Sequence, residues 1–123
     1  MDNYIYLAAP LFTRGERDFN SNLAQSLRAR GIPVFLPQEE CRGTNEEIFA
    51  ICNRGIAGAK SVVAILDGAD ADSGTCWEVG YAFAKGIPIL GVRTDFRGSG
   101  DTGGFNLMLR FSCRDILDVG IDL

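Results

Sequence analysis

The sequence predicts a doubly wound α/β fold, in which helices connect the parallel strands of one sheet. The first observation is that short apolar runs rich in β-branched residues, such as residues 61–66, alternate with stretches of helical periodicity. The second is that Gly31 and Gly86 end helical stretches, and that Pro33 and Pro88 follow where the next strand begins. Because parallel neighbours need a crossover connection, this alternation favours a parallel sheet over hairpins.

The simplest right-handed winding of five such strands gives the order 2-1-3-4-5, a flavodoxin-like arrangement of three α/β/α layers. We expect residues 1–123 to form this single domain. Thr44 and Glu47 match a capping box, and Phe19, Leu23 and Leu27 are expected on the buried face of the first helix. The predicted strands are residues 4–9, 32–36, 61–66, 87–92 and 115–119, the predicted helices are residues 15–30, 44–56, about 73–85 and 105–109, and the loops include residues 37–40 and 93–104.

Composition excludes several classes of protein. A net charge of −4 and a pI near 4.7 argue against a nucleic-acid surface, which needs clustered Lys and Arg. No apolar run approaches the ~20 residues of a membrane span, and the first residues do not look like a signal peptide, so we expect a cytoplasmic protein. The chain has no His, and its four Cys are far apart and are expected to be small, mostly buried residues. We therefore expect neither a metal site nor a cofactor.

Residues 72–81, DSGTCWEVGY, follow the third strand through a polar bridge. Apolar residues spaced by three and four predict a helix here whose buried face carries Trp77, Val79, Tyr81, Phe83 and Ala84. Ser73 or Thr75 is expected to cap it, which would put Glu78 in its first turn. Ligands bind at the carboxyl ends of parallel strands, so Glu78 would lie at the ligand-binding edge.

An acid in a first turn often does no more than offset the helix dipole. Here Asp67, Asp70 and Asp72 crowd the same loop, and stability alone does not require four mutually repelling acids. Without His, Ser-His-Asp and Cys-His catalysis are excluded. The cluster instead suits displacement at a sugar anomeric carbon, with Glu78 as nucleophile and Tyr6, from the adjacent first strand, as the hydroxyl that orients it. The alternative for Tyr6 is a half-buried strand aromatic.

One sequence motif lies at a position that does not suit its usual function. Residues 98–103 match G-x-G-x-x-G, but they lie late in a polar loop and not between the first strand and its helix, so we do not expect dinucleotide binding.

Four segments resemble the nucleoside 2-deoxyribosyltransferase family, and together they span most of the chain. They are YLAAPLF at residues 6–12, LPQ at residues 36–38, DSGTCWEVGYA at residues 72–82 and NLM at residues 106–108.

The resemblance implies transfer of a 2-deoxyribosyl group between nucleobases, with Glu78 forming a covalent deoxyribosyl intermediate. It implies that Tyr6 holds Glu78, that Gln38 contacts the sugar and that Asp72 binds the 5′-hydroxyl or the base. It also implies a homo-oligomer, in which Asn106 completes a neighbouring subunit's site. Deoxynucleosides and nucleobases are then the partners, and the remaining implied substrate-binding residues are Ala8, Phe12, Asn53 and Met108.

The chain departs from the family at two positions. Asn53 stands where many members have an Asp that faces the base, and an amide cannot protonate a base. Leu11 replaces a Trp found in some members. The chain also resembles, more faintly, the deoxynucleotide N-hydrolases of the same fold. The first alternative is therefore a 2′-deoxynucleoside 5′-phosphate N-hydrolase, in which Thr13 and Arg14 would hold the phosphate. The second is a non-catalytic nucleoside- or nucleotide-binding module.

Overall fold

A computed structural model describes residues 3–97 and 104–119 of the chain. All strand pairs are parallel, and the strand order is β2-β1-β3-β4-β5, which confirms the predicted flavodoxin-like α/β fold. The strands are β1 (Ile5–Ala8), β2 (Val34–Phe35), β3 (Ser61–Ile65), β4 (Ile89–Arg93) and β5 (Asp115–Asp118). The helices are α1 (Arg14–Ala29), α2 (Pro37–Glu40), α3 (Asn45–Ala57), α4 (Ser73–Ala84) and α5 (Leu107–Ser112).

Two apolar cores lie on opposite faces of the sheet. Helix α1 packs on one face through Ala24, which is fully buried, and through the partly buried Leu23 and Leu27. Helices α3, α4 and α5 pack on the other face, with Ile56 and Val79 among their core residues. Because side chains alternate along a strand, Tyr6 belongs to the α3–α5 side and its neighbour Leu7 to the α1 side.

Two predicted helix faces were partly wrong. In α1 the most buried residues are Asn20 and Ala24, and Phe19 lies at the edge of the face. In α4 the face against the sheet carries Thr75, Val79 and Ala82, whereas Trp77 and Phe83 are about half exposed. Helix α4 is apolar on its flanks as well as on its buried face, so spacing alone did not single out the face that meets the sheet.

The loop predicted at residues 37–40 is a single helical turn, with Pro37 at a first-turn position that suits its missing N–H. Arg93 was assigned to the following loop, but it is buried and ends β4, where its guanidinium lies over the Phe105 ring. Within the predicted Gly-rich loop, the G-x-G-x-x-G string at residues 98–103 lies outside the described residues. Within residues 3–97 and 104–119, no helix combines the length and apolar composition needed to cross a membrane.

The beginning of α4 differs from prediction in a way that moves Glu78. Asp72, and neither Ser73 nor Thr75, caps the helix: its carboxylate accepts from the Thr75 N–H at 3.0 Å and from the Thr75 hydroxyl at 3.2 Å. Helix α4 therefore starts at Ser73, and no acidic residue lies in its first turn. Glu78 falls in the second turn, where the helix dipole offers it little stabilisation.

Candidate active site

Tyr6 of β1 and Glu78 of α4 are brought into contact by the fold. β1 and β3 are paired parallel neighbours, with Tyr6 opposite Val62, and α4 follows β3 on the face to which Tyr6 points. The Tyr6 hydroxyl donates a hydrogen bond to Oε2 of Glu78. The Tyr6 side chain is completely buried and Glu78 is partly exposed, so the hydrogen bond between them is partly buried.

The edge strand β2 and helix α3 hold the Tyr6 ring in position. It stacks on Phe35 of β2, with ring centroids 5.2 Å apart and an interplanar angle of 19°. Helix α3 can approach Phe35 this closely only because residue 55 is glycine, since an added Cβ would lie 2.8 Å from that ring. The Tyr4 hydroxyl donates to the Gly55 carbonyl at 2.6 Å and holds the same helix turn. The hydroxyl of Tyr6 is therefore positioned by packing before any substrate binds.

The electrostatics of the pair make Glu78 unlike a surface acid. Burial raises the pKa of Glu78 to about 7; the hydrogen bond from Tyr6 lowers it, and the negative charge of Asp72 raises it further. Burial, followed by the charge of Glu78, raises the pKa of Tyr6 well above its usual value, so Tyr6 stays a hydrogen-bond donor. Glu78 is partly removed from solvent, and Tyr6 donates to one of its two carboxylate oxygens. The other oxygen is therefore available to attack an electrophilic carbon.

The four acids do not form one repelling cluster, and this corrects part of the sequence argument. Asp67 accepts hydrogen bonds from the backbone N–H and the hydroxyl of Thr94, and thereby ties β3 to the end of β4. Asp72 caps α4, as described above, and Asp70 is exposed. Stability therefore accounts for Asp67 and Asp72, and Glu78 is partly buried without capping a helix or joining two strands.

Gln38 is held by its own chain. Its Nε2 donates to the Arg17 carbonyl and to the Ser21 hydroxyl, both at 3.0 Å, and its Oε1 accepts from Asn20 Nδ2 at 3.2 Å. Asn20 also donates to the Pro10 carbonyl at 3.0 Å, which explains how a polar residue came to be buried in α1. These bonds fasten α2 to α1, and a contact of Gln38 with a sugar stays a prediction.

The other predicted substrate-binding residues are spread around the same end of the sheet. Oδ1 of Asn53, on α3, is buried and has no hydrogen-bond partner among the described residues. Ala8 is fully buried at the end of β1, and Phe12 is 71% exposed in the following turn. Asn106 caps α5, accepting from the N–H of Met108 at 2.8 Å, and the Met108 side chain is 71% exposed.

A cavity of about 500 Å³ opens at the carboxyl ends of the strands. It extends from the β1–α1 turn to the loop before α4, and Phe12 and Asp72 are the predicted site residues that line it. In the part of the chain that the structure describes, no three His, Cys, Asp or Glu side chains converge as ligands for a metal ion.

Sequence reasoning missed three groups near this edge. The Cys52 thiol lies beside the Tyr6 hydroxyl, and the Sγ atoms of Cys41 and Cys52 are 2.8 Å apart as free thiols. Of the four Cys, only Cys113 is buried. The Asn20–Gln38 bond and the Cys pair join residues far apart in sequence, so no local pattern announces them. Glu16 could have been identified from the sequence, because Thr13 and Glu16 have the spacing of a capping box.

Comparison with known proteins gives one family and several solved structures. The family model for nucleoside 2-deoxyribosyltransferase matches residues 5–109. A conserved protein from Enterococcus faecalis is 25% identical, with a TM-score of 0.81 over 99% of this chain and 94% of that one. A 2-deoxyribosyltransferase from Bacillus psychrosaccharolyticus is 28% identical, with a TM-score of 0.79 over 97% and 88%. A CMP N-glycosidase from Clostridium botulinum, 18% identical with a TM-score of 0.67 over 94% and 88%, shares the fold. No curated protein matches.

Proposed function

The chain belongs to the nucleoside 2-deoxyribosyltransferase family, and we propose that it transfers a 2-deoxyribosyl group between nucleobases through a covalent bond to Glu78. The observation that carries this proposal is the partly buried hydrogen bond from Tyr6 to Glu78. A carboxylate that only stabilised a helix would lie in the first turn and in solvent, whereas Glu78 lies in the second turn, largely buried, with a pKa raised to about 7 by that burial.

The reaction runs in two displacements. The free oxygen of Glu78 attacks the anomeric carbon as the bond to the base nitrogen breaks, and the electron pair leaves with the base. The departed base takes up a proton from solvent. A second base then attacks the same carbon through a ring nitrogen, loses the proton of that nitrogen to solvent and displaces Glu78, so that two inversions restore the original configuration. Tyr6 keeps the carboxylate oriented and balances its charge in both steps. The chemistry needs no cofactor.

We assign the other predicted site residues to binding of the base and of the 5′ end of the sugar. Oδ1 of Asn53 is a buried acceptor with no partner among the described residues, which suits the N–H of a base. As an amide it cannot supply a proton, so base departure here is assisted by binding and not by acid catalysis from residue 53. We assign Asp72, which lines the cavity, to the 5′-hydroxyl, and Phe12 to the exposed rim of the same cavity. We assign Gln38, in α2, to the sugar, and Ala8, at the end of β1, to substrate binding.

Two alternatives make different products. The fold shared with the CMP N-glycosidase supports a hydrolase, in which water takes the place of the second base. A binding module would make no product, but a buried carboxylate at raised pKa costs stability that binding alone does not require.

Incubation with a deoxynucleoside, with and without a second base, tests the proposal. We expect a new nucleoside when the second base is present, measured by separation of the products. Free 2-deoxyribose formed at the same rate with or without the second base would identify a hydrolase. Unchanged substrate in both incubations would identify a binding module.

We further propose that the active site is shared between the subunits of a homo-oligomer. A groove of about 770 Å³ runs between α4 and α5, and its apolar lining is exposed in a single chain. The most exposed members are Phe83, Leu107, Met108 and Phe111, between 43% and 71% accessible. A patch of this kind on a small domain is typical of an interface, and docking it on a second copy would carry Asn106 to that copy's surface.

Mixing two inactive variants is expected to restore activity if sites are shared. One partner is Glu78→Ala. The other must spare the α5 cap, because Asn106 Oδ1 accepts from Met108 and Leu109, and loss of a cap costs about 1 kcal/mol. Asn106→Ser keeps a capping oxygen and removes the amide N–H₂ group. With random exchange into dimers, half are hybrids with one intact site of two, so about a quarter of wild-type activity should return.

Subunit exchange is verified by mass spectrometry of the mixture. Full exchange without recovered activity would mean that Asn106 does not serve its neighbour, and an active monomer at assay concentration would have the same meaning.

A further inference from the structure

Two of the four cysteines lie in contact with each other beside the active-site pair. The Sγ atoms of Cys41 and Cys52 are 2.8 Å apart, and both residues are free thiols that are only partly buried. Cys41 caps the end of the helical turn α2, and Cys52 lies in the middle of α3. A covalent bond between the two sulfur atoms therefore needs little movement of the chain.

Cys52 is also hydrogen-bonded to the Tyr6 hydroxyl, and the number of protons fixes the direction of every bond in the group. The Tyr6 hydroxyl has one proton, which it donates to Oε2 of Glu78. The Cys52 thiol is therefore the donor in its bond to Tyr6. Because the Cys52 proton is then used, Cys41 is the donor in the bond between the two sulfur atoms. The bonds form one chain that runs from Cys41 through Cys52 and Tyr6 to Glu78.

Cys41 has the property that this chain of bonds requires of its first donor. Burial, followed by the Cys52 sulfur and the charge of Glu78, raises the pKa of Cys41 to about 12, so Cys41 keeps its proton at neutral pH. A hydroxyl that accepts a hydrogen bond becomes a stronger donor, because neighbouring bonds in a chain polarise one another. The two thiols thus strengthen the bond by which Tyr6 holds Glu78, and they are positioning residues that act through Tyr6.

We propose that Cys41 and Cys52 form a redox modification site, in which hydrogen peroxide converts the two thiols to a disulfide and thereby weakens the hold of Tyr6 on Glu78. Cys52 gives up its proton and attacks one peroxide oxygen; its sulfur becomes a sulfenic acid, and the other oxygen leaves with the proton as water. The Cys41 sulfur then attacks the Cys52 sulfur and displaces hydroxide, which takes the Cys41 proton and leaves as a second water. The two thiols are oxidised by two electrons, and the peroxide is reduced by two.

Oxidation removes both thiol protons, so the bond between the sulfur atoms and the bond from Cys52 to Tyr6 are lost as hydrogen bonds. The bond from Tyr6 to Glu78 remains, but it is weaker. That bond lowers the pKa of Glu78, so weakening it raises the pKa, while the charge of Asp72 acts as before. Less Glu78 is then ionised at neutral pH, and turnover falls. The effect on turnover rests on the proposed function, whereas formation of the disulfide does not.

Treatment with hydrogen peroxide, followed by mass spectrometry and an assay, tests the modification. Wild type should lose the mass of two hydrogen atoms and carry a disulfide that joins the peptides containing Cys41 and Cys52. Its turnover of a deoxynucleoside at pH 7 should fall about fivefold, the scale of one weakened hydrogen bond, and recover with dithiothreitol. The acid limb of kcat/KM should move to a higher pH. Absence of this disulfide, or a disulfide that leaves turnover and the acid limb unchanged, overturns the inference.

Variants of Cys52 separate loss of the hydrogen bond from formation of the covalent bond. Cys52→Ala lacks the donor to Tyr6, so the reduced variant should already show the lower turnover and the shifted acid limb, and peroxide should cause no further loss that dithiothreitol reverses. Cys52→Ser keeps a hydroxyl donor and should recover most of the turnover lost in Cys52→Ala.

The matched control is Cys76→Ser. Cys76 is another partly buried free thiol, and its Sγ donates to the Ala71 carbonyl at 3.7 Å. Because the pair of Cys41 and Cys52 stays intact in this variant, it should respond to peroxide as wild type does. A reversible response that persists in Cys52→Ala, or that disappears in Cys76→Ser, contradicts the assignment to the pair.

Failure of the proposed function remains distinguishable, because the disulfide is detected without substrate. If no deoxynucleoside is turned over, denaturant unfolding of the oxidised and reduced proteins at pH 5 and pH 8 measures the link to Glu78. A disulfide constrains the unfolded chain at both pH values. A folded-state pKa of Glu78 raised further above its unfolded value lowers stability at pH 8 relative to pH 5. The oxidised protein should therefore lose more unfolding free energy between pH 5 and pH 8 than the reduced protein, and an equal loss overturns the inference.

Discussion

Glu78→Gln is expected to lower turnover at least about a thousandfold while the protein stays folded. The carboxylate is the group that forms the bond to the anomeric carbon, and an amide at the same place cannot form it. Glutamine is the sharper choice, because it still accepts the hydrogen bond from Tyr6. Alanine would leave that buried hydroxyl unpaired, at a cost of about 1–3 kcal/mol. Turnover of a deoxynucleoside is measured beside the matched change Glu46→Gln, at an exposed acid in the first turn of α3.

The same variant should be more stable than wild type above neutral pH. Burial raises the pKa of Glu78 from 4.5 to about 7, so between these values the unfolded chain gives up this proton before the folded chain does. Glu78 therefore makes its full contribution to the free energy of unfolding below about pH 4.5. That contribution falls by about 3 kcal/mol in total as the pH rises through about 7. Denaturant unfolding at pH 5 and pH 8 measures it. If Glu78→Gln loses stability at pH 8 and keeps turnover, Glu78 is structural.

Tyr6→Phe is expected to reduce turnover at pH 7 by about one to two orders of magnitude and to change the melting temperature little. The phenyl ring keeps the stacking on Phe35, and only the donor to Glu78 is removed. That donor lowers the pKa of Glu78, so its loss should move the acid limb of kcat/KM from about pH 7 to a higher pH. Turnover then falls at neutral pH partly because less Glu78 is ionised.

Asp72→Asn is the counterpart of Tyr6→Phe. Asparagine still caps α4, but the charge that raises the pKa of Glu78 is gone, so the acid limb should move to a lower pH. Opposite shifts from the two variants identify Glu78 as the titrating group. If Tyr6 only packs in the core, Tyr6→Phe should lower the melting temperature and leave the acid limb of kcat/KM at the same pH.

The sequence predicted the sheet well because each strand carries its own signal. Short β-branched runs bounded by Gly and Pro leave few alternatives, and right-handed crossovers then determine the strand order. The one-turn helix α2 was missed because four residues are too few to show a period. The cap of α4 was assigned to Ser73 or Thr75, although Asp72 was available. The three are adjacent candidates, and only the backbone geometry selects among them.

The pairing of Tyr6 with Glu78 followed from the predicted sheet, since the ends of adjacent parallel strands must be neighbours. Two properties of the site did not follow. The burial of Glu78 depends on its place in the second turn of α4, and the position of Tyr6 depends on the packing of Phe35 from β2 against Gly55 of α3. The network that holds Gln38 depends on Asn20, whose burial opposes its polarity. Long-range packing determines both, and one-dimensional patterns do not contain it.

Mass spectrometry of the protein after incubation with a 2-fluoro deoxynucleoside tests covalent catalysis most directly. Fluorine slows both displacements by destabilising positive charge at the anomeric carbon, and the intermediate then accumulates without a second base. We predict a fluorodeoxyribosyl adduct on wild type that maps to the peptide containing Glu78, and no adduct on Glu78→Gln. An adduct of equal yield on Glu78→Gln, or its absence from a wild type that turns the compound over, would contradict the account.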